Sequence, residues 1–188
     1  MEAIKLDKKY TYADYYSWND DNRWELIDGT VYAMAPGPSP THQSTIGKLF
    51  WHLQSYLRDK SCEVFMSPLD VRLNADTSDN TVVQPDLIIV CDKSKIDSRG
   101  IVGAPDFVAE VLSPYTAKHD MDRKYKAYMK AGVKEYWIID PFNKMLMAHI
   151  LHDGKYEGKP YFQDDAAVPV TVLEDCTISL VDLFKDID

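Results

Sequence analysis

Two periods of polar and apolar residues succeed one another along the 188-residue chain, and the switches between them outline its elements. Over residues 41–59 the apolar side chains Ile46, Leu49, Phe50, Leu53 and Leu57 recur three or four positions apart, which predicts a long amphipathic helix with one face on a core. Ahead of it, residues 11–18 predict a short helix capped by Thr11, its Tyr and Trp side chains sealing one edge of that core. Residues 24–34 alternate loosely around Asp28-Gly29, a two-residue turn signal, and predict a hairpin that ends at the breaker run 36–40.

Three short aliphatic runs follow, at residues 63–73, 82–90 and 107–112, each bounded by Pro, Asn, Asp or Gly, and these predict the central strands. A second helix is expected over 120–131, closed by Gly132 at the usual left-handed stop position. A buried strand at 136–139 ends at Asp140-Pro141. Runs 145–152 and 155–162 flank Asp153-Gly154 as a second hairpin, and 168–184 adds a short strand or two and a final turn of helix. No repeat, low-complexity tract or long linker interrupts the series. Residues 1–188 therefore read as a single domain of the α/β or α+β class, with one central mixed sheet flanked by helices.

Composition narrows what such a domain can do. The longest apolar stretches, 82–91 and 145–151, fall short of the roughly 20 residues of a membrane helix. Residues 1–10 alternate Lys with Asp or Glu and lack the continuous apolar region of a secretory signal, so a cytoplasmic protein is expected. Cys62, Cys91 and Cys176 are odd in number, far apart and never spaced as CxxC, which predicts reduced, mostly buried thiols rather than a disulfide framework or zinc knuckle. A formal net charge of -9 excludes nucleic-acid binding by a broadly basic surface; any polyanion would need metal ions and a local patch.

Candidate chemistry lies where polar residues occupy positions whose neighbours demand a core. Glu110 stands in mid-strand in Phe107-Val108-Ala109-Glu110-Val111-Leu112, where a buried carboxylate needs a cation, a partner such as Arg72, or a proton. Asp86 opens the aliphatic run after Gln84-Pro85, at a strand start or bulge, or simply at the end of a turn. On the helix from Asp120, Lys124 shares a face with Met121, Tyr125 and Tyr128, while Arg123, Lys126 and Lys130 line another, so Lys124 is the inward lysine unless it snorkels. Glu25, between Trp24 and Leu26, reads alone as an edge charge. Together, two carboxylates on neighbouring strands backed by a third form the hard oxygen cage that Mg²⁺ prefers, and a lysine at its rim completes a phosphodiesterase.

The ordered set Trp24-Glu25-Leu26-Ile27-Asp28-Gly29, His42, Gln84-Pro85-Asp86-Leu87, Glu110-Val111-Leu112-Ser113-Pro114, Asp120 with Lys124 and Tyr128, Gly132-Val133, Glu135-Tyr136-Trp137 and Asp140-Pro141 resembles the Uma-type restriction-endonuclease family of the PD-(D/E)XK superfamily. That resemblance, which runs over nearly the whole chain, implies a restriction-endonuclease-like core and a Mg²⁺-dependent DNA endonuclease, with Mn²⁺ as a substitute ion. It implies Asp86 and Glu110 as metal ligands, the carbonyl of Val111 as a third, Glu25 as an ancillary acid, and a homodimer able to cut both strands of a duplex. The superfamily places its lysine two residues after the second acid, where this chain has Leu112; the role then moves to Lys124. A competing Pro105-Asp106 motif would put Asp106 and Glu110 about 13 Å apart along one strand, too far to share an ion. His42 and His119 flank the two helices, His42 as a phosphate or metal neighbour or a structural donor; His52, His149 and His152 read as surface or hairpin residues. The alternative is a nuclease fold without catalysis that binds nucleic acid or a partner.

Overall fold

The computed structural model of the protein describes residues 8–19, 22–34, 37–113, 120–165 and 167–187. Thr11 caps helix α1 (Tyr12–Ser17), its hydroxyl accepting the Asp14 amide while the Asp14 carboxylate accepts the Thr11 amide, which satisfies two donors at the helix start. Strands β1 (Trp24–Ile27) and β2 (Thr30–Ala33) form the first hairpin, and both turn residues, Asp28 and Gly29, have positive φ (48° and 75°) as a primed turn requires. Helix α2 (Pro40–Leu57) starts at Ser39, whose hydroxyl accepts the His42 amide, and buries Ile46, Leu49, Leu53 and Leu57 on one face.

The runs 63–73 and 82–90 each supply two strands. Strand β3 (Glu63–Met66) ends before the cis Ser67-Pro68 bond, and β4 (Val71–Arg72) lies in a different sheet. In the same way β5 (Val82–Val83) stops at Gln84-Pro85, and β6 (Leu87–Val90) continues in the other sheet. Pro85 has no amide for a ladder, so the chain can cross between sheets at that point without breaking a strand hydrogen bond. Two short strands that the sequence pattern did not flag follow, β7 (Ile96–Asp97) and β8 (Gly100–Val102). Strand β9 (Phe107–Val111) precedes a π-helical turn (Asp120–Lys124) that runs into α3 (Tyr125–Ala131), ended by Gly132 at φ 86°. Strand β10 (Glu135–Asp140), the hairpin of β11 (Met145–His152) and β12 (Lys155–Phe162), the short strands β13 (Val168–Pro169) and β14 (Thr177–Ile178), and helix α4 (Leu180–Leu183) complete the series.

The fold is mixed α+β, but the single sheet expected from the pattern is divided in two. One six-stranded sheet has the order β2-β1-β5-β4-β8-β7, the other β12-β11-β10-β9-β6-β3, and β13 pairs with β14 alone. Pairing is antiparallel except for β4 with β8 and β9 with β10, and the latter pair is joined through α3. Side chains of the second sheet alternate between two cores. Leu87, Ile89, Phe107, Ala109, Val111, Trp137 and Ile139 pack against α2 and the C-terminal segment. Ile88, Val90, Val108, Tyr136 and Ile138 meet Ile27, Val71, Val83 and Ile101 of the first sheet, together with Tyr128 of α3. Among the described residues, no helix is long and apolar enough to cross a membrane.

Close approach of backbones fixes one glycine. Gly100 has φ 136°, and a Cβ there would lie 2.2 Å from the Asp70 carbonyl oxygen, which also accepts the Ile101 amide at 2.8 Å. Since backbone rather than a flexible side chain would have to move, Gly100→Ala should lower unfolding free energy by about 1–3 kcal/mol. Urea denaturation measures it, and an unchanged midpoint would refute the packing described for this edge.

Two sequence-based expectations fail here for identifiable reasons. Cys62 and Cys91 are joined in a disulfide across 29 residues; Glu63 pairs with Val90, so one step further along the same antiparallel ladder the two cysteines face each other. Spacing along the chain does not reveal a cross-strand neighbour. Cys176 is a free, buried thiol, and burial pushes its pKa up to about 11, so it is an inert packing residue. His149 is no ordinary hairpin residue: it is enclosed by Tyr125, Tyr136 and Tyr156 at ring distances of 5.0–5.9 Å, and burial lowers its pKa.

Candidate active site

Alternation along β9 turns Glu110 into the space between the two sheets, where it is 3% exposed. An unpaired carboxylate in that position would be costly, and the helix above supplies its partners. Lys124 Nζ lies 3.0 Å from Glu110 Oε1, and the Tyr128 hydroxyl donates to the same oxygen at 2.7 Å. These two residues are four apart at the junction of the π-helical turn with α3, hence on one face. Burial first, and the Glu110 charge second, raise the Tyr128 pKa well above the tyrosine range, so its hydroxyl is a dependable donor.

Glu25 reaches the same lysine from the opposite sheet. Its Oε1 lies 3.0 Å from Lys124 Nζ and accepts the Gln84 amide at 3.0 Å. Glu25 and Lys124 are 4% and 5% exposed, so this is a buried bridge between β1 and the β9–β10 crossover, not an edge charge. The crossing at Gln84-Pro85 makes it possible, since it carries the chain from β5 beside β1 to β6 beside β9.

The same crossing sets Asp86. Leu87 pairs with Ala109 in the antiparallel β6–β9 ladder, so one residue further Asp86 stands beside Glu110. Its Oδ2 accepts the Val111 amide at 2.8 Å and lies 3.1 Å from His42 Nε2. His42 belongs to the first turn of α2 and is itself 9% exposed. Its Nδ1 is buried with no hydrogen-bond partner among the described residues, which assigns the ring proton to Nε2, where the carboxylate can accept it.

Lys124 is thus in direct contact with both Glu25 and Glu110, and Asp86 is bonded to the amide of Val111, the residue after Glu110. The cage of three acids expected from the sequence is not assembled: among the described residues no group of three or more His, Cys, Asp or Glu side chains is close enough to hold a metal ion, and the Lys124 ammonium stands between Glu25 and Glu110. The adjacent pair Asp86 and Glu110 still fits Mg²⁺ in its donor chemistry, because that ion is commonly held by one or two carboxylates, with waters and substrate phosphates completing its shell.

Alternatives weighed on sequence resolve elsewhere. Arg72 pairs with Asp79 at 2.6 Å, not with Glu110. Asp106 accepts the Cys91 amide at 2.8 Å and pairs with Lys134 at 2.6 Å; burial alone would raise its pKa, yet these donors hold it below the usual carboxylate value, as befits a structural ion pair. His119 lies outside the described residues. Sequence reasoning left Tyr128, Gln84 and the His42–Asp86 contact without a place in the site. The signals were faint but present: Tyr128 is on the Lys124 face, and Gln84 sits at the proline crossing.

Comparison with known proteins bears on the family and the fold. The model of the Uma2 family, described as "Putative restriction endonuclease", matches residues 11–181. Two uncharacterized proteins of Synechocystis sp. are similar. Slr1290 is 31% identical over 117 residues, 61% of this chain, and the match spans only 60% of that relative's length; sll1609 is 29% identical over 147 residues, 76% of this chain and 81% of the relative. Among solved structures, the crystal structure of a "putative nuclease belonging to DUF820" from Anabaena variabilis superposes with a TM-score of 0.76, at 20% identity, over 93% of this chain and 97% of its own; at that identity it shows a shared fold.

Proposed function

Because the chain belongs to the Uma2 family of restriction-endonuclease-like proteins, we propose that it is a Mg²⁺-dependent endonuclease that hydrolyses DNA phosphodiester bonds at the Asp86–Glu110–Lys124 cluster. The observation that carries this reading is the buried bridge of Lys124 to Glu25 and Glu110, with Asp86 held beside Glu110 by the Val111 amide. Asp86 and Glu110, backed by the Val111 carbonyl, would hold the ion. Bound there, Mg²⁺ supplies a polarised phosphoryl oxygen and a more acidic water.

The chain's own residues do the rest. Glu25, held by the Gln84 amide, fixes the Lys124 ammonium from one side while Glu110 and Tyr128 form the other wall. A cation flanked in this way is a pre-oriented positive charge, suited to the negative charge that builds on a pentacovalent phosphorus and needing no reorganisation when it does. His42 and the Val111 amide both hold Asp86 by Oδ2, which fixes the direction of the carboxylate. Burial of the cluster keeps these interactions strong, where solvent would weaken them.

Supercoiled plasmid incubated with the purified protein tests the proposal. Conversion to nicked or linear form with Mg²⁺, abolished by chelation, is expected. Intact plasmid and intact single strands with both Mg²⁺ and Mn²⁺ would overturn it, and DNA affinity without cleavage would leave a binding module.

A further inference from the structure

Trp24 and Glu25 are successive residues of β1, so their side chains leave the strand on opposite faces. On the Trp24 face, beside α1, lies a recess of about 250 Å³ walled by Tyr15, Trp18 and Trp24, with Arg23 and Gln84 among its lining. The rings form a connected series: Tyr15 to Trp18 at 5.7 Å and Trp18 to Trp24 at 6.4 Å between centroids. The Arg23 guanidinium donates to two neutral acceptors, Gln84 Oε1 at 2.6 Å and Ser67 Oγ at 3.3 Å. Gln84 Nε2 is anchored in turn on Asp70 at 2.8 Å and the Tyr15 hydroxyl at 3.3 Å.

Gln84 therefore has two sides. Its backbone amide holds the Glu25 carboxylate, and its side chain forms part of the aromatic recess. The recess and the acid cluster thus lie on opposite faces of β1 and share Gln84.

We propose that this recess is a subsite for the base of an unpaired nucleotide next to the scissile phosphate, so that single-stranded or locally opened DNA is the preferred substrate; this rests on the nuclease reading above. Size is the first reason, since about 250 Å³ lies below the roughly 300–1,000 Å³ of a drug-sized ligand site and suits one ring system. Chemistry is the second. Aromatic walls stack any base through its π-face, and the Arg23 guanidinium, which among the described residues bonds to Gln84 and Ser67, can meet a backbone phosphate. Charge is the third: at a net -9 the chain cannot draw a duplex by a broad basic surface, so stacking must supply much of the affinity.

Tryptophan emission of the full-length protein, titrated in chelator with a short oligothymidylate or with the same strand annealed to its complement, tests the subsite without any cleavage. The single strand should quench the emission and bind about tenfold more tightly than the duplex, with a shallow dependence on salt. Arg23→Ala and Trp18→Ala should each weaken single-strand binding about tenfold, whereas Trp18→Phe should largely preserve it. Arg23 is exposed, so its variant reports on the subsite even if loss of Trp18 disturbs folding. Equal affinity for the two forms, or single-strand affinity untouched by Arg23→Ala, would overturn the proposal. Failure here leaves metal-dependent cleavage of plasmid intact, and failure of cleavage with retained single-strand binding condemns the nuclease reading and leaves a base-binding recess with no scissile phosphate beside it.

Discussion

Replacing Lys124 with Met should eliminate cleavage and also destabilise the protein by about 3–5 kcal/mol, the usual cost of stranding buried charge when one partner of an ion pair is removed. Lys124 lies 3.0 Å from an oxygen of both Glu25 and Glu110, and all three residues are at most 5% exposed. Met matches the length and apolar stem of lysine, so the loss isolates the charge. Two buried carboxylates would then face each other across an apolar side chain. Adding Glu25→Gln to Lys124→Met should recover a large part of the lost stability while leaving the enzyme inactive, because the repulsion is relieved but the positive charge is still missing. Urea denaturation of the single and double variants, beside plasmid nicking, separates these outcomes. A Lys124→Met protein as stable as the parent would mean that the bridge does not form.

Asp86→Asn should give the opposite pattern, with activity reduced by about 10²–10³-fold or more and stability nearly unchanged. The amide oxygen of Asn can still accept the Val111 N–H and face His42 Nε2, so the local geometry survives. The carboxylate charge that Mg²⁺ needs does not. Thermal unfolding should move by only about 1–2 °C, while calorimetric titration should show loss of the Mg²⁺ heat. If Asp86→Asn nicked plasmid at the parent rate, Asp86 would be a strand-capping residue and nothing more.

Local structure was largely legible in the sequence, because local rules dictate it. The Thr11 cap, the Asp28-Gly29 and Asp153-Gly154 hairpins, the apolar stripe of α2 and the Gly132 stop all stand where the pattern predicts them. Lys124 was legible for a related reason: a helical face with Tyr125 and Tyr128 is apolar, and a lysine there points inward. What the sequence concealed was long-range. A continuous aliphatic run around Val82 to Val90 gives no sign that its halves serve different sheets, although Pro85 marks the place. That crossing is what brings Glu25 and Glu110, from opposite sheets, onto one lysine. The Cys62–Cys91 bond and the His42–Asp86 contact were hidden likewise, each being a product of strand or helix register, not of spacing along the chain.

Glu135 shows why burial of an acid is not enough to mark a site. It is fully buried on β10, and desolvation raises its pKa, partly offset by bonds from Thr171, Val172 and Trp137. Each of these is a neutral donor, satisfied within the fold, and no lysine or second acid is among them. Glu110 differs by sharing its ammonium with another carboxylate.

Diffraction from crystals soaked in Mn²⁺, read at the manganese absorption edge, tests the central claim most directly. An anomalous peak between Asp86 and Glu110, within about 2.5 Å of an oxygen of each, is the expected result. A clean map at that place under saturating Mn²⁺, with Lys124 still bridging Glu25 and Glu110, would contradict it.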